Sequence, residues 1–325
     1  MAQPREHQPV LLPAVVATAL PALRGEGAVV VDGTVGFAGH AAPLLAAAPG
    51  ARLVGFDRDP LAVAAAGAAL AAFGPRARVR HGSYADLETL EPEVVGRVDV
   101  LLVDLGVSSP QLDRAERGFG FRQRGPLDMR FDPTAGETAA GALDRLGTEE
   151  LAEVLREYGD VPQPRRVARA LQAARDAGRL ETTTDLAAAV ERVLGRPRGG
   201  RIAAATLVFQ ALRIFVNDEP GHLRRLLAAA PRWLSAGGRL LAVSFHSGED
   251  RLVKQAIRFW ERGPELPPGL PAPPWAPVLR ALARKPTEPD AAEAAANPRA
   301  RSAKLRVAER TAAPVPAGAD PWRGA

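Results

Sequence analysis

The sequence predicts an α/β protein, a doubly wound and mostly parallel sheet interrupted by an all-helical insertion, and three observations predict it. Between Gly27 and Gly106, apolar runs rich in Val and Leu alternate with Ala-rich stretches, the texture of strands joined by crossover helices. Two of those runs, in VVVDGTVGFAGH (Val29–His40) and VDVLLVDLGVSSPQLD (Val98–Asp113), end in an acidic residue followed by a turn of small residues. A buried parallel strand has this form when it carries an acid and backbone N–H groups to its carboxyl end, where open α/β sheets bind ligands. Third, no strand signal interrupts Gly136–Leu194, whereas a strand pattern returns at Arg239–Phe245.

In chain order, Val10–Leu23 is apolar but broken by Pro13 and Pro21 and too short to span a bilayer. With Glu6 before it and no basic run beyond Arg5, it reads as an N-terminal helix rather than a signal peptide. Strands follow at Val29–Asp32, Arg52–Asp57, Arg78–His81 and Val98–Asp104, with Pro60–Phe73 as a crossover helix. Glu116–Pro133, rich in Gly and Arg, is a long loop. Helical periods then run through Leu151, Val154, Leu155 and Tyr158, through Val167, Ala170, Leu171 and Ala174, and through Leu186, Val190, Val193 and Leu194. Thr184 is the expected N-cap of the last. Leu223, Leu226, Leu227, Ala230, Trp233 and Leu234 share one helical face, Ser235–Gly238 turns the chain, and Arg239–Phe245 is a strand. The Pro-dense segment Gly263–Pro289 excludes long regular structure, and Ser302–Glu309 alternates like a last strand at a sheet edge. The predicted division is residues 1–115 and 206–325 for the sheet domain, with residues 116–205 as the loop and helical insertion that recognises substrate.

Composition bounds the function. A chain of 325 residues with 46% hydrophobic and 24% charged residues is an ordinary globular protein. Net charge is +5, which suits a polyanionic partner, but Lys254, Lys285 and Lys304 are the only lysines among 42 basic residues. So strong an arginine bias reflects coding composition at least as well as a nucleic-acid partner. Cysteine is absent, which removes disulfides, thiolate metal sites and a Cys nucleophile and fits a cytoplasmic protein. The five histidines are scattered and no metal-ligand spacing appears. No membrane association is expected, and both a monomer and a homodimer are compatible with the sequence.

The turn after the first strand reads Gly33-x-x-Gly36-x-x-Gly39, which lacks the tight first Gly pair that admits a pyrophosphate onto a helix N-terminus. No G-x-x-x-x-G-K-[ST] loop is present either. With Asp57 ending the next strand, where an acid commonly accepts hydrogen bonds from ribose hydroxyls, a nucleoside without phosphates fits, and S-adenosylmethionine is the common one.

Asp104 is followed by LGVSSPQ, a small polar turn containing Pro. An exocyclic amine on a base is a poor nucleophile because its lone pair is delocalised into the ring. An acceptor held against its N–H draws the nitrogen towards a tetrahedral geometry, and in-line placement against a sulfonium methyl supplies the rest. Asp104 to Pro110 is a looser relative of the Asp/Asn/Ser-Pro-Pro-aromatic turn of amino-methylating enzymes. Two other roles are open to Asp104: capping the next helix, or bonding the cofactor without touching substrate.

DGTVGFAGH, DRDP (Asp57–Pro60), DLGVSSPQLD, RGFGFRQRGPLDMRFD (Arg117–Asp132), FQALRIFVNDE (Phe209–Glu219), SFHSGEDRLVK (Ser244–Lys254) and NPRARSAKLRVAER (Asn297–Arg310) occur in that order, after HQPVLL (His7–Leu12). Together they resemble the MraW family of ribosomal RNA small-subunit methyltransferases. The resemblance implies a Rossmann-like methyltransferase sheet with an inserted helical domain. It implies S-adenosylmethionine-dependent N4-methylation of one cytidine in the decoding region of 16S rRNA, with the small ribosomal subunit as partner. It also implies cofactor contacts at Ala38, Gly39, His40, Asp57 on the ribose, Tyr84 beside the adenine, Asp104 and Gln111. Departures from the family pattern are Ala38 for Gly, Tyr84 for Phe, Gly120 for Ser, Phe131 for Met, Gly248 for Leu, and Leu207 for an Arg in ATLVF.

On the substrate side the candidates are Ser109 and Pro110 beside the base slot, Arg213 and Asn217 four apart on one helix, His246 past a strand end, and Arg299 and Arg301. The last two belong to a basic run with Lys304 and Arg306 that suits phosphates, with Arg165, Arg166 and Arg169 as a second basic patch. Arg213 lies in an apolar face, so a buried ion pair competes with a substrate role. Glu249, Asp250 and Arg251 read as helix-start chemistry. The competing functions are a DNA amino-methyltransferase and an RNA-binding assembly factor that holds the cofactor without turnover.

Overall fold

A computed structural model describes residues 9–196, 203–264 and 274–323. His7 and Gln8 of HQPVLL and residues 265–273 of the Pro-dense segment lie outside the described residues. The chain divides into two compact units, Met1–Gly106 with Pro220–Ala325, and Val107–Glu219.

The first unit opens with helix α1 (Leu12–Ala19), then alternates β1 (Val29–Asp32), α2 (Ala41–Ala47), β2 (Arg52–Asp57), α3 (Pro60–Ala69), β3 (Ala77–His81), the short α4 (Leu87–Leu90) and β4 (Val98–Asp104). Pro60 sits in the first turn of α3, where its missing N–H costs nothing, and Asp59 caps that turn by accepting the Leu61 N–H. The second unit holds α5 (Ser109–Asp113), α6 (Ala139–Arg145), α7 (Thr148–Gly159), α8 (Pro164–Asp176), α9 (Thr183–Leu194) and α10 (Ala204–Val216). The chain then returns through α11 (Glu219–Trp233), β5 (Leu234–Ser244), α12 (Ser247–Arg262), β6 (Leu279–Ala281), α13 (Ala291–Ala296) and β7 (Lys304–Arg310).

The seven strands form one sheet in the order β3-β2-β1-β4-β5-β7-β6. The pairs among β1 to β5 are parallel, and β7 runs antiparallel to both β5 and β6. Ser302–Glu309, expected at a sheet edge, instead supplies an interior strand, because three residues of the Pro-dense segment, Leu279–Ala281, pair outside it. A three-residue strand carries too little alternation to be read from sequence. Both faces of the sheet are covered, which is why its strands are continuous apolar runs. Val29 and Val31 pack with Leu226, Trp233 and Trp260, while Val30 faces Leu44, Leu45 and Leu241 on the other side. Asp99 interrupts the ladder: its carboxylate accepts the Val29 N–H at 2.8 Å and the Ser235 hydroxyl at 2.7 Å. The register of β4 shifts there against both neighbours, and Ser235–Gly238 loops out between Leu234 and Arg239 within β5.

In the helical unit, α10 contributes Ala205, Val208, Phe209 and Leu212 to the same core as Leu151, Leu155, Leu171 and Leu186. The boundary expected at residue 205 therefore falls one helix short, since periodicity reveals an apolar face but not the core that covers it. Leu207, standing where the family has Arg, packs against that core. The N-cap of α9 is Thr182, not Thr184. Its hydroxyl and the Asp185 carboxylate form a reciprocal capping box, and Thr183 Oγ1 donates to the Gln123 carbonyl at 3.0 Å.

Candidate active site

The order of the parallel strands reverses between β1 and β4, and ligands of doubly wound sheets bind in the crevice at such a switch point. Both strands end there in an acid, Asp32 and Asp104. The turn leaving β1 is sewn to its neighbours by the backbone. The Gly33 N–H donates to Leu102 O (2.8 Å), the Val35 N–H to Phe56 O (2.9 Å) and the Gly36 N–H to Asp57 Oδ2 (2.9 Å). Gly33 is required by close approach, since a Cβ there would lie 2.8 Å from both Tyr84 Cβ and Val103 Cγ1. Ala38 holds φ +63°, a left-handed conformation that favours the Gly usual in the family. Gly39 packs against Pro9, which a Cβ would meet at 2.7 Å.

Three carboxylates converge at this edge. Asp32 is only 2% exposed and accepts the Thr34 N–H at 3.1 Å. Burial pushes its pKa up to about 7, against the pull of His40 and with repulsion from Asp104 and Asp57 adding to the rise. Asp57 accepts backbone N–H bonds on both oxygens, from Gly36 and Asp59 (both 2.9 Å), yet burial still raises it to about 6. Asp104 donates its N–H to Thr34 Oγ1 at 2.6 Å. Its side chain is 22% exposed, with Oδ2 3.7 Å from His40 Nδ1. Its Oδ1 is buried without a hydrogen-bond partner. Burial, then the charge of Glu249, raises its pKa to about 7.

These elevations have a consequence for stability. A carboxyl group whose pKa rises on folding stabilises the fold fully only below its unfolded value, here 3.8, and loses that contribution as pH rises through the folded value. The cofactor-free protein is therefore expected to lose stability from pH 5 to pH 8, by roughly 2 kcal/mol or more at about 1.4 kcal/mol per unit. Chemical denaturation at the two pH values checks this, and equal or greater stability at pH 8 would contradict it.

Tyr84 is buried, its Cβ beneath Gly33 and its ring edge-on to His222 with centroids 6.4 Å apart. Ser83 anchors it, accepting the Ala85 N–H and bonding His222 Nδ1 at 2.7 Å. On the next strand end, His246 precedes α12, with Nε2 3.2 Å from Glu249 Oε1 but outside hydrogen-bond geometry. Gly248 lies against the His246 ring, where a Cβ would meet Cε1 and Nδ1 at 3.1 Å. Glu249, read from sequence as helix-start chemistry, does accept the Phe245 N–H at 2.9 Å, and its charge also reaches Asp104.

The remaining predicted residues fall into three groups. In the helical unit, Gln111 is buried and its Oε1 accepts the Ser108 N–H at 3.0 Å, which makes it a capping residue of α5; Ser109 and Pro110 are partly exposed in that helix's first turn. Arg213 and Asn217, expected near substrate, are engaged in scaffolding. Arg213 makes a bidentate, largely buried pair with Glu219 at 2.7 and 3.0 Å, and Asn217 binds the backbone at Met129, Phe131 and Arg213. Of the basic run, Arg306 and Lys304 are held by Asp250, at 2.6 and 3.9 Å, while Arg299 and Arg301 are exposed. Arg165 pairs with Glu149 at 2.8 Å, Arg166 bonds Gln163 at 3.0 Å, and Arg169 is exposed. The residues sequence reasoning missed are Thr34, whose hydroxyl ties the β1 turn to β4, and Asp32 as a titrating neighbour of Asp104. Their signal was the D-G-T at the strand end.

A doubly wound sheet with an acid-lined, glycine-turned carboxyl edge and a helical insertion is a Rossmann-like α/β architecture. The chain belongs to the MraW methylase family, whose model matches residues 4–311. A ribosomal RNA small subunit methyltransferase H of Sorangium cellulosum is 47% identical, with 94% of this chain and 91% of that protein covered. Proteins of the same name from Methylobacterium nodulans (46% identical, 95% and 92% covered) and a Synechococcus strain (47%, 95% and 99%) match similarly. An rRNA methylase structure from Streptococcus thermophilus covers 96% of this chain and 99% of its own at a TM-score of 0.36 and 12% identity, too loose a likeness to weigh. The site fits a cationic nucleoside: its carboxylates stand ready for positive charge and hydroxyls, and one carboxylate oxygen is buried and unpaired. Among the described residues no helix is long and apolar enough to cross a membrane.

Proposed function

We propose that this protein methylates the N4 amine of one cytidine in the decoding region of 16S rRNA, acting on the small ribosomal subunit in the cytoplasm. The observation that carries the reading is Asp104: a carboxylate at the switch point with Oδ1 buried and unpaired, the acceptor that an exocyclic N–H requires. The relatives' shared name supports small-subunit rRNA as the substrate.

S-adenosylmethionine, when bound, supplies an electrophilic methyl group on a sulfonium. The backbone of the turn Ala38–His40, with the side chains of Asp57 and Tyr84, would hold it, Asp57 taking the ribose hydroxyls. Asp104 Oδ1 accepts a hydrogen of the amine and draws its lone pair out of conjugation. Its raised pKa of about 7 lets it keep the proton that the amine loses. A base reaches this edge only unstacked, which suits a single-stranded loop of RNA. His246 would face the base, and Arg299 and Arg301 would hold phosphates.

Replacing Arg299 and Arg301 together with alanine is expected to weaken binding to small-subunit RNA and reduce the salt slope of the binding constant by about 2. Filter binding at several salt concentrations checks this; an unchanged slope would place the RNA elsewhere. The reading itself is tested by incubating protein and labelled S-adenosylmethionine with unmethylated small subunits, naked 16S rRNA and DNA. Label in RNA but not DNA is expected. Label in DNA would favour a DNA amino-methyltransferase, and cofactor binding without transfer to any of the three would favour an assembly factor.

A further inference from the structure

The two ring nitrogens of His40 face two different partners. We infer that this ring is a positioning residue for Asp104: Val10 holds it from behind, and it occupies one carboxylate oxygen so that the other is left for the substrate amine. The inference rests on the function proposed above and gives the side chain a task different from cofactor contact.

His40 Nε2 lies 2.9 Å from the Val10 carbonyl oxygen. A carbonyl only accepts, so Nε2 carries the proton and Nδ1 presents a lone pair unless the ring is charged. That Nδ1 lies 3.7 Å from Asp104 Oδ2, a separation that catalytic contacts in ligand-free proteins often show before they tighten. The opposite oxygen, Oδ1, has no hydrogen-bond partner. The backbone of Asp104 is fixed by Thr34 Oγ1, and the His40 ring stands beside Oδ2.

The ring is itself well held. It precedes α2 and is buried; Pro9 packs on Gly39 beside it, and Val10 belongs to the same core as Ala38 and Ala41. Leu11, in a left-handed conformation at φ +55°, donates its N–H to Glu293 Oε1 at 2.6 Å, which pins the segment that supplies Val10. Acidic groups surround Asp104: Asp32 from β1, with Asp57 of β2, and Glu249 from α12. His40 is a basic group set among them, and His246 stands 3.2 Å from Glu249.

The chemistry balances. The amine lone pair forms the N–CH3 bond as the sulfonium–methyl bond breaks and its electron pair goes to sulfur. One N–H bond then breaks, its pair stays on nitrogen, and the proton passes to Asp104. With a proton already on Oδ2, the carboxyl group passes that proton to His40 Nδ1 as Oδ1 receives the one from the amine, so Asp104 ends with a single proton, on Oδ1, and the imidazolium keeps its Nε2–H on Val10.

The test has two arms. In the cofactor-free wild type, nitrogen-15 correlation spectra of the histidines are expected to show His40 as the Nε2–H tautomer; an Nδ1–H tautomer would overturn the inference whatever the enzyme does. In the second arm, His40→Phe is expected to lower kcat on small subunits by about tenfold or more and shift its pH profile, while affinity for S-adenosylhomocysteine by calorimetry changes less than about threefold. His40→Asn, whose amide reaches the place of Nδ1, is expected to recover much of that loss. Wild-type kcat and pH profile in His40→Phe would overturn the inference, as would a loss of cofactor affinity that matches the loss in kcat. If the wild type methylates no RNA, the function proposed above fails, and the tautomer still decides the geometry.

Discussion

Replacing Asp104 with asparagine is expected to cut methyl transfer by about two to four orders of magnitude and to make the cofactor-free protein more stable. The two effects share one cause. At the switch point the carboxylate keeps one oxygen buried and unpaired, and burial together with Glu249 raises its pKa to about 7. That arrangement costs folding free energy at neutral pH because the ionised group is poorly solvated. An amide of the same shape carries no charge, so it removes this cost, but on the function proposed above it cannot take the proton that the amine loses. The stabilisation is expected to be larger at pH 8, on the order of 2 kcal/mol, than at pH 5, where the native carboxyl is protonated. Denaturation at both pH values and single-turnover transfer on small subunits test the pair of effects. A variant that transfers methyl at the wild-type rate would remove Asp104 from the chemistry, and one destabilised equally at both pH values would give it a structural role.

The second large effect concerns Asn217, which sequence reasoning placed near substrate. It is 1% exposed. Its Oδ1 accepts the Phe131 N–H at 2.7 Å, and its Nδ2 donates to the carbonyls of Met129 (2.7 Å) and Arg213 (2.9 Å). Met129 is fully buried with φ +62°, so the loop backbone there is strained and needs outside support. Arg117 adds to that support by donating to the carbonyls of Arg130 and Phe131. Asn217→Ala removes the side-chain bonds to the Met129 carbonyl and the Phe131 N–H and is expected to destabilise the protein by about 3 kcal/mol. Denaturant unfolding measures this. Unchanged stability with weakened RNA binding would return Asn217 to the substrate side.

What could be read from sequence follows from how local each signal is. Asp32, Asp57 and Asp104 were visible because a buried parallel strand is a continuous apolar run and the acid that ends it is conspicuous. The spacing of the Gly33–Gly39 turn argued against a pyrophosphate. Pairings between distant residues were not legible. Periodicity put Arg213 on an apolar face without naming Glu219 as its partner. His40 lay inside a recognisable motif, yet the contacts of its ring come from Val10 and Asp104, which neither composition nor spacing links to it. The position of β7 depended on a three-residue strand in a Pro-dense segment, and the reach of the helical unit depended on which core takes up α10.

On the function proposed above, this acid-lined edge methylates the exocyclic amine of a cytidine in small-subunit rRNA. The most direct test is to methylate unmodified small subunits with the purified protein, digest the RNA to nucleosides and identify the product by mass spectrometry. N4-methylcytidine, absent when Asp104→Asn replaces the wild type, is the result expected. A ring-carbon or ribose-methylated nucleoside in its place, or a product that persists in the variant, would contradict it.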